Sequence, residues 1–403
     1  MEKKTVNVII WGTGFWGQMA YSSIDFSCVK IIKVIDSDYE KIGKVWNGLI
    51  IEENDINWDD EENCDYIILC MKDYYYPLEL CKNISSKKII FSRDDLSEYQ
   101  WIDSTVREKY YEDKKQLSEH YAQQNKKYEK RTQTKIIVSA EQCLKKIIYE
   151  SKSLTRFGDG EFEIMLNRDR PWFQKYNESL AYELLEVMNT ENDELLIAIP
   201  DEFDSLEQYT DEAAFWIRSY IWDKHDEIEQ LIDTNRTYYD SYVSRPYLIY
   251  RDKTQAKKIF NLWKQVWKGR DILLIEGANT RNGLGNDLFN EVKSLSRIIC
   301  PAKDAFSIYE SIIEAVLKNI RKEILLLISL GPTATVLVKK FVEYGYQAID
   351  IGQIDNEYEW YQMAAKERIP IKGKAVPELN ERLINEDLYS EDVKKQILID
   401  LTK

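Results

Sequence analysis

The stretch Ile324–Thr335 reads ILLLIS followed by LGPTAT, an apolar run and then a glycine, a proline and two threonines. The apolar run predicts a buried strand, and the glycine–proline pair with its threonine cap predicts a helix start. Similar apolar runs occur at Leu195–Ile199, Asp271–Ile275, Arg297–Cys300 and Ala348–Ile351, with helical patterns such as Phe306–Ile320 and Thr335–Tyr344 between them. This alternation indicates an α/β fold with a doubly wound, mostly parallel sheet and helices on both faces.

The N-terminal segment repeats the alternation on a smaller scale. Strands are predicted at Val6–Trp11, Val29–Ile35, Tyr66–Cys70 and Lys88–Phe91, and a helix is predicted to follow the turn Gly12-Thr13-Gly14-Phe15-Trp16-Gly17 and to end near Ser23. A GxGxxG turn between strand and helix, with an acidic residue such as Asp36 about twenty positions later, is typical of dinucleotide-binding folds. The unit ends near residue 100, about half of a full dinucleotide fold. It is therefore predicted to be a Rossmann-like half domain, which either binds a nucleotide or is a structural remnant.

Three regions are predicted along the chain. Residues 1–100 form the Rossmann-like domain, residues 101–135 a charged helical connector, and residues 136–403 the larger α/β domain. In the connector, Tyr110, Leu117, Tyr121 and Tyr128 fall on one helix face. We interpret this stripe as a docking face for a neighbouring domain, with homo-oligomer formation as the secondary alternative.

Composition excludes several classes of function. The chain has 403 residues and a net charge of −15, which disfavours nucleic acid as a partner. It has only two histidines, and neither is expected to be catalytic, which excludes Ser-His-Asp, Cys-His and multi-histidine zinc chemistry. Six cysteines show no CxxC spacing, so they are predicted to be buried, reduced thiols. No apolar run is long enough for a transmembrane segment or a signal sequence. A cytoplasmic protein is therefore expected, with peripheral association with the inner face of the membrane as a further option.

The segment Thr155–Phe162, TRFGDGEF, carries two carboxylates one residue apart, with glycines before and between them. In an extended segment Asp159 and Glu161 would project to the same side. Two hard oxygen donors beside Arg156 suit a divalent cation bound to a phosphorylated ligand, whereas a turn with solvated charges is an equally good interpretation of the spacing alone.

Polar segments follow several predicted strands, where ligands of parallel sheets bind. The glycine-rich loop Glu276–Asp287 and the helix start Leu330–Thr335 offer backbone N–H groups for a phosphate or diphosphate. Pro301–Phe306 suits ribose or base contacts, and Asp350–Asp355 contributes Gln353 and Asp355 to the same rim.

Seven motifs occur in a specific order: RFGDGEF at Arg156–Phe162, FQKY at Phe173–Tyr176, SRPY at Ser244–Tyr247, GLGNDL at Gly283–Leu288, ICPAKDAF at Ile299–Phe306, GPTAT at Gly331–Thr335 and EYEW at Glu357–Trp360. Together they resemble the bacterial GT-D-fold glycosyltransferases of the type that glycosylates streptococcal serine-rich adhesins, over roughly residues 136–380. The resemblance implies that the Asp-x-Glu motif, here Asp159 and Glu161, binds Mn²⁺ or Mg²⁺ and the diphosphate of a UDP-sugar. The resemblance also implies a histidine where Gln353 stands, and this departure either leaves the metal coordination incomplete or shifts it to Asp355.

We therefore expect a metal-dependent glycosyltransferase that moves a sugar from a UDP-sugar to a glycan acceptor, either a surface-protein glycan or an exopolysaccharide precursor. The catalytic candidates are Asp159, Glu161, Arg245 and Glu276, and the metal candidates are Asp159, Glu161 and Asp355. Donor contacts are expected from Arg156, Lys175, Arg281, Gly283, Asn286, Lys303, Gly331, Thr333 and Thr335. The base that activates the acceptor is left open among Asp201, Asp204 and Glu276.

Two alternative functions remain at this point. One is an NAD(P)-dependent sugar-nucleotide oxidoreductase or epimerase built on the glycine turn at Gly12–Gly17. The other is a non-catalytic nucleotide-binding scaffold, for which Gln353 is the main argument.

Overall fold

The computed structural model describes residues 5–53, 64–70, 89–91, 123, 137–168, 174–201, 206–233, 235–365, 368, 369, 371, 373, 374, 376 and 391–402. The chain divides into two compact units, residues 1–120 with 378–382, and residues 121–377 with 383–403. Apart from residue 123, the predicted connector at 101–135 lies outside the described residues, so its helix and the predicted boundaries stay predictions.

The N-terminal unit contains a six-stranded sheet and one described helix. Its elements are β1 (Val6–Trp11), α1 (Phe15–Ser22), β2 (Val29–Ile35), β3 (Val45–Trp46), β4 (Leu49–Glu52), β5 (Tyr66–Leu69) and β6 (Ile89–Phe91). The strand order is β3-β4-β2-β1-β5-β6, and among the pairs of described strands the short β3–β4 pair is antiparallel and the others are parallel. The four predicted strands and the helix are confirmed to within a residue or two, whereas β3 and β4 were not predicted. The Rossmann-like assignment itself stays a prediction.

The second unit contains a nine-stranded sheet in which every described pair is parallel. Its strands are β7 (Ile137–Val138), β8 (Ser153–Arg156), β9 (Leu195–Ile199), β10 (Tyr238–Asp240), β11 (Asp271–Gly277), β12 (Ser294–Cys300), β13 (Leu325–Ser329), β14 (Ala348–Asp350) and β15 (Ile397–Asp400). Their order in the sheet is β15-β12-β11-β13-β14-β8-β9-β10-β7. The expected α/β class with a parallel sheet is confirmed.

Helices connect these strands. They are α2 (Ala140–Glu150), α3 (Asp159–Met165), α4 (Glu178–Met188), α5 (Asp211–Glu229), α6 (Thr254–Trp267), α7 (Tyr309–Asn319), α8 (Pro332–Glu343), α9 (Ile354–Gln362) and α10 (Glu391–Lys394), with 3₁₀ turns at Ser241–Ser244 and Ala305–Ile308. No helix in the part of the chain that the structure describes combines the length and apolar content needed to cross a membrane.

The strand order predicts a ligand-binding crevice at the carboxyl edge of the larger sheet. After β11 the chain adds β12 on one side, while β13 lies on the other side. In a parallel sheet the two loops that leave such a point diverge and open a crevice. The loop after β11 and the helix start after β13, both singled out by the sequence, therefore lie at this crevice.

The strands of the larger sheet are closely packed. All five residues of both β9 and β13 are buried, and Phe341 and Val336 of α8 belong to the same core. Five cysteines, Cys28, Cys64, Cys70, Cys143 and Cys300, are buried and free, as predicted, and Cys81 lies outside the described residues.

Candidate functional site

The site is organised around an ion pair between two adjacent strands. Arg156 is the last residue of β8 and Asp350 the last residue of β14, and the two strands are paired in the sheet. One guanidinium nitrogen of Arg156 lies 2.9 Å from Asp350 Oδ1, and Nε donates to the Asp350 carbonyl at 3.1 Å. The carboxyl edge at the middle of the sheet is thus held by a nearly buried arginine.

The same guanidinium also reaches the turn after β10. It donates to the Ser241 carbonyl at 3.2 Å and to Ser244 Oγ at 2.7 Å. A Cβ added to Gly352 would lie 2.0 Å from a guanidinium nitrogen of Arg156, so only glycine fits against this side chain. With this many protein partners, Arg156 positions three segments of the site. The structure therefore favours a positioning role for Arg156 over its predicted role as a ligand of the diphosphate.

The two carboxylates of the RFGDGEF motif lie at a helix start, not in an extended segment. Gly158 is the N-cap of α3, Asp159 is its first residue, and Glu161 turns back so that its carboxylate accepts the Gly158 N–H at 2.7 Å. The predicted same-side projection is wrong, because residues two apart in a helix point in nearly opposite directions. The two side chains still share the first turn, where the helix dipole favours negative charge.

Glu161 is an unusual acid. The pKa of its carboxyl is raised to about 7, mainly by burial and also by the nearby carboxylates Asp350 and Asp159, while hydrogen bonds from the Glu161 and Gly158 N–H groups oppose the shift. Burial also raises the pKa of Asp350, although Arg156 opposes that shift. Glu161 thus has two further acids near it, an arrangement that attracts a cation, although the ligand atoms of the three do not all lie within 4.8 Å of one another.

Three further motifs meet at the start of α8. Gln174 is buried, and its Oε1 accepts from Thr333 Oγ1 at 3.2 Å and from the Phe306 N–H at 3.3 Å. The neighbouring Lys175 N–H donates to Asp304 at 2.7 Å. The side chains of Lys175 and Lys303 are exposed beside this junction. FQKY, PAKDAF and GPTAT are therefore one local structure, in which two lysines remain accessible to a ligand.

A pair of threonines attaches α8 to β8. Thr335 Oγ1 donates to the Arg156 carbonyl at 2.8 Å, and Thr155 Oγ1 donates to the Thr335 carbonyl at 3.0 Å. Thr333 and Thr335 are fully buried, and their hydroxyls form hydrogen bonds within the protein. Their predicted role as direct ligands of the sugar donor is therefore not supported. Gly331, with φ +56°, is exposed at the helix N-cap, but Pro332 has no N–H and the Ala334 N–H donates to the Gly331 carbonyl at 2.8 Å, so what this helix start offers an anion is mainly the positive end of its dipole.

The structure does not support Glu276 as a catalytic base. Its carboxylate is fully buried, forms an ion pair with buried Arg297, and accepts the N–H and the side-chain amide of Asn282, each at 2.8 Å. Arg297 also donates to the Asn282 carbonyl at 2.9 Å. A base must reach the acceptor hydroxyl. Glu276 instead holds the glycine-rich loop on β11 and β12, so this prediction is corrected.

Asp355 likewise has partners within the protein. Its Oδ1 accepts the Gly283 N–H at 2.8 Å and the Asn286 amide at 2.7 Å, and its Oδ2 accepts Lys374 Nζ at 2.6 Å. Asp355 and Lys374 are both almost fully buried. Asp355 is thus paired with the Lys374 ammonium group, which argues against its predicted role as a metal ligand. Gly283 and Asn286 donate to Asp355, which argues against their predicted contacts with the sugar donor.

Arg281, another predicted donor ligand, belongs to the same loop. It is 7% exposed, has φ +51°, and donates to the Gly373 carbonyl at 2.8 Å. This hydrogen bond fixes the loop against Gly373, and the predicted donor contact of Arg281 is not supported.

The SRPY turn is held from both sides. Glu357 of EYEW, 1% exposed, accepts the N–H groups of Tyr247 and Leu248, each at 3.1 Å. Lys253 Nζ donates to the carbonyls of the same two residues at 2.6 and 2.8 Å. Burial raises the pKa of Glu357, against the effects of the Leu248 N–H and of Arg245. Arg245 therefore lies on a rigid turn beside Ser244, the partner of Arg156.

Gln353 provides the observation that tests whether a divalent cation fits here. It is the N-cap of α9, three residues after Asp350, and its Oε1 is buried and accepts no hydrogen bond from the described part of the chain. A buried amide oxygen without a donor is costly, and a hard cation would satisfy it. This amide oxygen and the carboxylates of Asp159 and Glu161 are all hard oxygen donors, the ligand type that Mn²⁺ and Mg²⁺ prefer. Among the described residues, Asp159, Glu161 and Asp355 do not form a three-ligand cluster.

Of the remaining base candidates, Asp201 lies two residues after the end of β9 and is half-buried, while Asp204 lies outside the described residues. Asp201 and Asp240 face Tyr250, and burial together with these two carboxylates raises the pKa of the Tyr250 hydroxyl well above its usual value. Asp201 is therefore the candidate base that the described structure leaves at the carboxyl edge of the sheet.

The glycine turn of the N-terminal unit is satisfied internally. Asp36 Oδ2 accepts the Thr13 N–H at 2.8 Å and the Thr13 hydroxyl, and Lys41 Nζ lies 3.3 Å from it. Although burial alone would raise the pKa of Asp36, these hydrogen bonds from Thr13 lower it. In a dinucleotide fold this acid would bind a ribose hydroxyl. Here it binds Thr13, which disfavours the oxidoreductase alternative.

Two glycines of this turn should respond differently to alanine. A Cβ on Gly17 would lie 2.0 Å from the Gly12 carbonyl oxygen, whereas a Cβ on Gly14 would meet no atom within 4 Å. We expect Gly17→Ala to lower the melting temperature of the N-terminal unit, and Gly14→Ala to change neither folding nor sugar transfer. Differential scanning fluorimetry and a transfer assay on the full chain test this. A Gly14→Ala protein that folds normally but transfers no sugar would show that the turn is a working ligand site.

Several site residues were not assigned by the sequence. Asp350, Gln174 and Glu357 lie inside recognised motifs, but the sequence predicts no role for any of them. Lys374 lies in no motif. Asp350 had a usable signal, since it ends a strand of a parallel sheet. The partners of Glu357 and Lys374 are separated from them by 110 and 19 residues, and no local pattern indicates such contacts.

The geometry defines an α/β protein with an acidic ligand site at the carboxyl edge of a parallel sheet, and a family comparison agrees with it. Residues 154–379, more than half of the chain, match the family model described as "Glycosyltransferase GT-D fold". The chain belongs to this family of glycosyltransferases.

Two relatives of known class come from streptococci. The chain is 39% identical over 246 residues to the probable glycosyl transferase Gly of Streptococcus gordonii, covering 60% of this chain and 36% of that protein. It is 35% identical over 264 residues to the glycosyltransferase GlyD of Streptococcus pneumoniae, covering 64% of this chain and 32% of that protein. The chain thus spans about a third of the length of these relatives.

Solved structures give the same assignment. One, described as a domain of unknown function with a distinct glycosyltransferase fold, has a TM-score of 0.66 and 36% identity, covering 69% of this chain and 99% of that one. Another, described as a new glycosyltransferase from Streptococcus sanguinis, has a TM-score of 0.63 and 36% identity, covering 66% and 99%.

Proposed function

We propose that this protein is a metal-dependent glycosyltransferase that moves a sugar from a UDP-sugar to a glycan acceptor. The observation that carries the proposal is the position of Glu161 near Asp159 and Asp350 at the carboxyl edge of the sheet, where both carboxylates help to raise its pKa to about 7. Such a concentration of acids in a family of glycosyltransferases is best explained by a cation that holds the diphosphate of the donor.

In this proposal each group has a distinct task. Asp159, Glu161 and the Gln353 amide oxygen hold Mn²⁺ or Mg²⁺, which when bound neutralises negative charge on the leaving diphosphate. The start of α8, where Gly331 is exposed, presents the positive end of the helix dipole to the phosphate oxygens. Arg245, on its rigid turn, offers a planar guanidinium to the same anion. Lys175 and Lys303 add positive charge at the rim.

Acceptor activation is assigned to Asp201, since Glu276 is buried with Arg297. A carboxylate after the neighbouring strand β9 can take the acceptor proton as the new glycosidic bond forms. The acceptor class, a glycan on a surface protein or an exopolysaccharide precursor, rests on the resemblance to adhesin glycosylation. We also propose a cytoplasmic location, where nucleotide sugars are available.

A thermal-shift experiment tests the donor and the metal together. We expect UDP with Mn²⁺ to raise the melting temperature of the full chain, and UDP with a chelator to leave it unchanged, because the carboxylates repel an uncompensated diphosphate. NAD and NADP are the comparison ligands and should have no effect. Equal stabilisation by UDP in the presence of a chelator would contradict the metal role, and stabilisation by NAD alone would favour the oxidoreductase.

A further inference from the structure

A second cluster of metal-ligating side chains lies at the end of α5, outside the donor site. His225, Asp226 and Glu229 each offer one ligand atom, and these atoms all lie within 4.8 Å of one another. In the described part of the chain, no other group of three or more His, Cys, Asp or Glu side chains brings its ligand atoms this close together. We propose that these three residues bind one Zn²⁺-type ion, independently of the cation in the donor site.

The separations between the ligand atoms fit a shared ion better than a hydrogen bond. His225 Nδ1 lies 3.5 Å from Asp226 Oδ1 and 3.9 Å from Glu229 Oε2. A good N–H···O hydrogen bond spans about 2.9–3.0 Å. Two ligands at about 2.0–2.2 Å from a tetrahedral zinc ion lie roughly 3.3–3.6 Å apart. The first separation is in this range, and a small rotation of Glu229 brings the second into it.

Burial gives the site one fixed and two adaptable ligands. The imidazole of His225 is 2% exposed, and it shares the buried face of α5 with Ile217 and Ile228. The Asp226 side chain is 63% exposed and that of Glu229 is 25% exposed. An ion can therefore enter from solvent and keep water in its remaining coordination positions, while the core holds the imidazole in place.

Ligand chemistry separates this cluster from the donor site. One imidazole nitrogen with two carboxylates suits Zn²⁺ or Co²⁺, whereas the all-oxygen set of Asp159, Glu161 and Gln353 suits Mg²⁺ or Mn²⁺. The two sites are nevertheless mechanically connected. Tyr220, on the same helix as the cluster, donates to the Asp159 carbonyl at 3.5 Å, and His225 lies about 7–8 Å further along the helix axis. An ion at the cluster would stabilise the final turn of the helix that contacts α3.

The chain's two histidines make a direct test possible. The untagged full chain, labelled with ¹⁵N-histidine and stripped with chelator, is titrated with Zn²⁺ while the imidazole nitrogen resonances are followed. We expect one histidine to shift and to saturate at one equivalent, with His120 as the internal control. Co²⁺ should give visible absorption bands of a nitrogen- and oxygen-ligated ion, and Mg²⁺ should produce neither effect.

Three variants assign the site. The double variant Asp226→Asn with Glu229→Gln keeps the buried imidazole, so it should fold, and we expect it to weaken Zn²⁺ binding at least about tenfold. Asp159→Asn should leave Zn²⁺ binding unchanged, as should Glu191→Gln, which changes an exposed acid elsewhere. Zn²⁺ binding that is equal in the double variant and the wild type, or no saturable shift of either histidine, would overturn the proposal. Because no arm uses UDP or transfer activity, failure here leaves the proposed function untouched.

Discussion

Replacing Asp159 by Asn should lower sugar transfer by roughly 10²–10³-fold while the protein stays folded. The amide keeps the shape of the side chain but removes one of the charges that would hold the donor's cation. The melting temperature should stay the same or rise, because Glu161, whose pKa is raised in part by Asp159, loses a repulsive neighbour. The measurements are the transfer rate against Mn²⁺ concentration and the melting temperature of the full chain.

A matched control lies on another helix. Glu178 is the first residue of α4, as Asp159 is of α3, and it is exposed. Glu178→Gln therefore changes the same type of helix position without touching the site, and it should leave transfer unaltered. If Asp159→Asn kept near wild-type transfer with the same Mn²⁺ requirement, the metal assignment and most of the proposed mechanism would be lost.

The second large effect concerns the Glu276–Arg297 pair. Replacing Glu276 by Gln leaves the charge of Arg297 buried without its counter-ion, which should lower the free energy of unfolding by about 3–5 kcal/mol. Loss of transfer should follow from this loss of structure in the glycine-rich loop. Thermal and denaturant unfolding of the full chain, followed by tryptophan fluorescence, would measure the change.

The control is an acid of the same strand. Asp271, at the start of β11, forms a solvent-exposed ion pair with Lys293 at 2.8 Å, and Asp271→Asn should have little effect on unfolding. A double variant, Glu276→Leu with Arg297→Met, removes both charges and should recover part of the stability. The opposite pattern, normal stability of Glu276→Gln with abolished transfer, would restore Glu276 as a candidate base.

The larger features of the fold could be predicted because they depend on local patterns. Runs such as Leu195–Ile199 are apolar throughout, as buried parallel strands must be, and the strand is found at those residues. Short strands such as β10 (Tyr238–Asp240) were missed, since three residues carry too little periodicity. The order of the motifs identified the family because it, too, is read from local sequence and requires no knowledge of three-dimensional contacts.

The roles of individual side chains were harder to predict, because they depend on distant partners. The loop after β11 has the composition of a phosphate-binding loop, with glycines, an asparagine and an arginine. Its N–H groups and side-chain donors are nevertheless bonded to Asp355, Glu276 and the Gly373 carbonyl. Buried donors and acceptors must be paired, and the same residue types serve a ligand or the protein equally well. Spacing also misplaced Asp159 and Glu161, because the helix already begins at Asp159, where the prediction had an extended segment.

The two outermost strands of the larger sheet have a consequence for how this domain can be recombined. β7 (Ile137–Val138) and β15 (Ile397–Asp400) both lie outside residues 154–379, the part that matches the family. A fragment trimmed to that match would leave the backbone groups of β10 and β12 open to pairing with other chains. The transferable unit is therefore longer than the family match, and a fusion or domain exchange should join the chain before β7 and after β15.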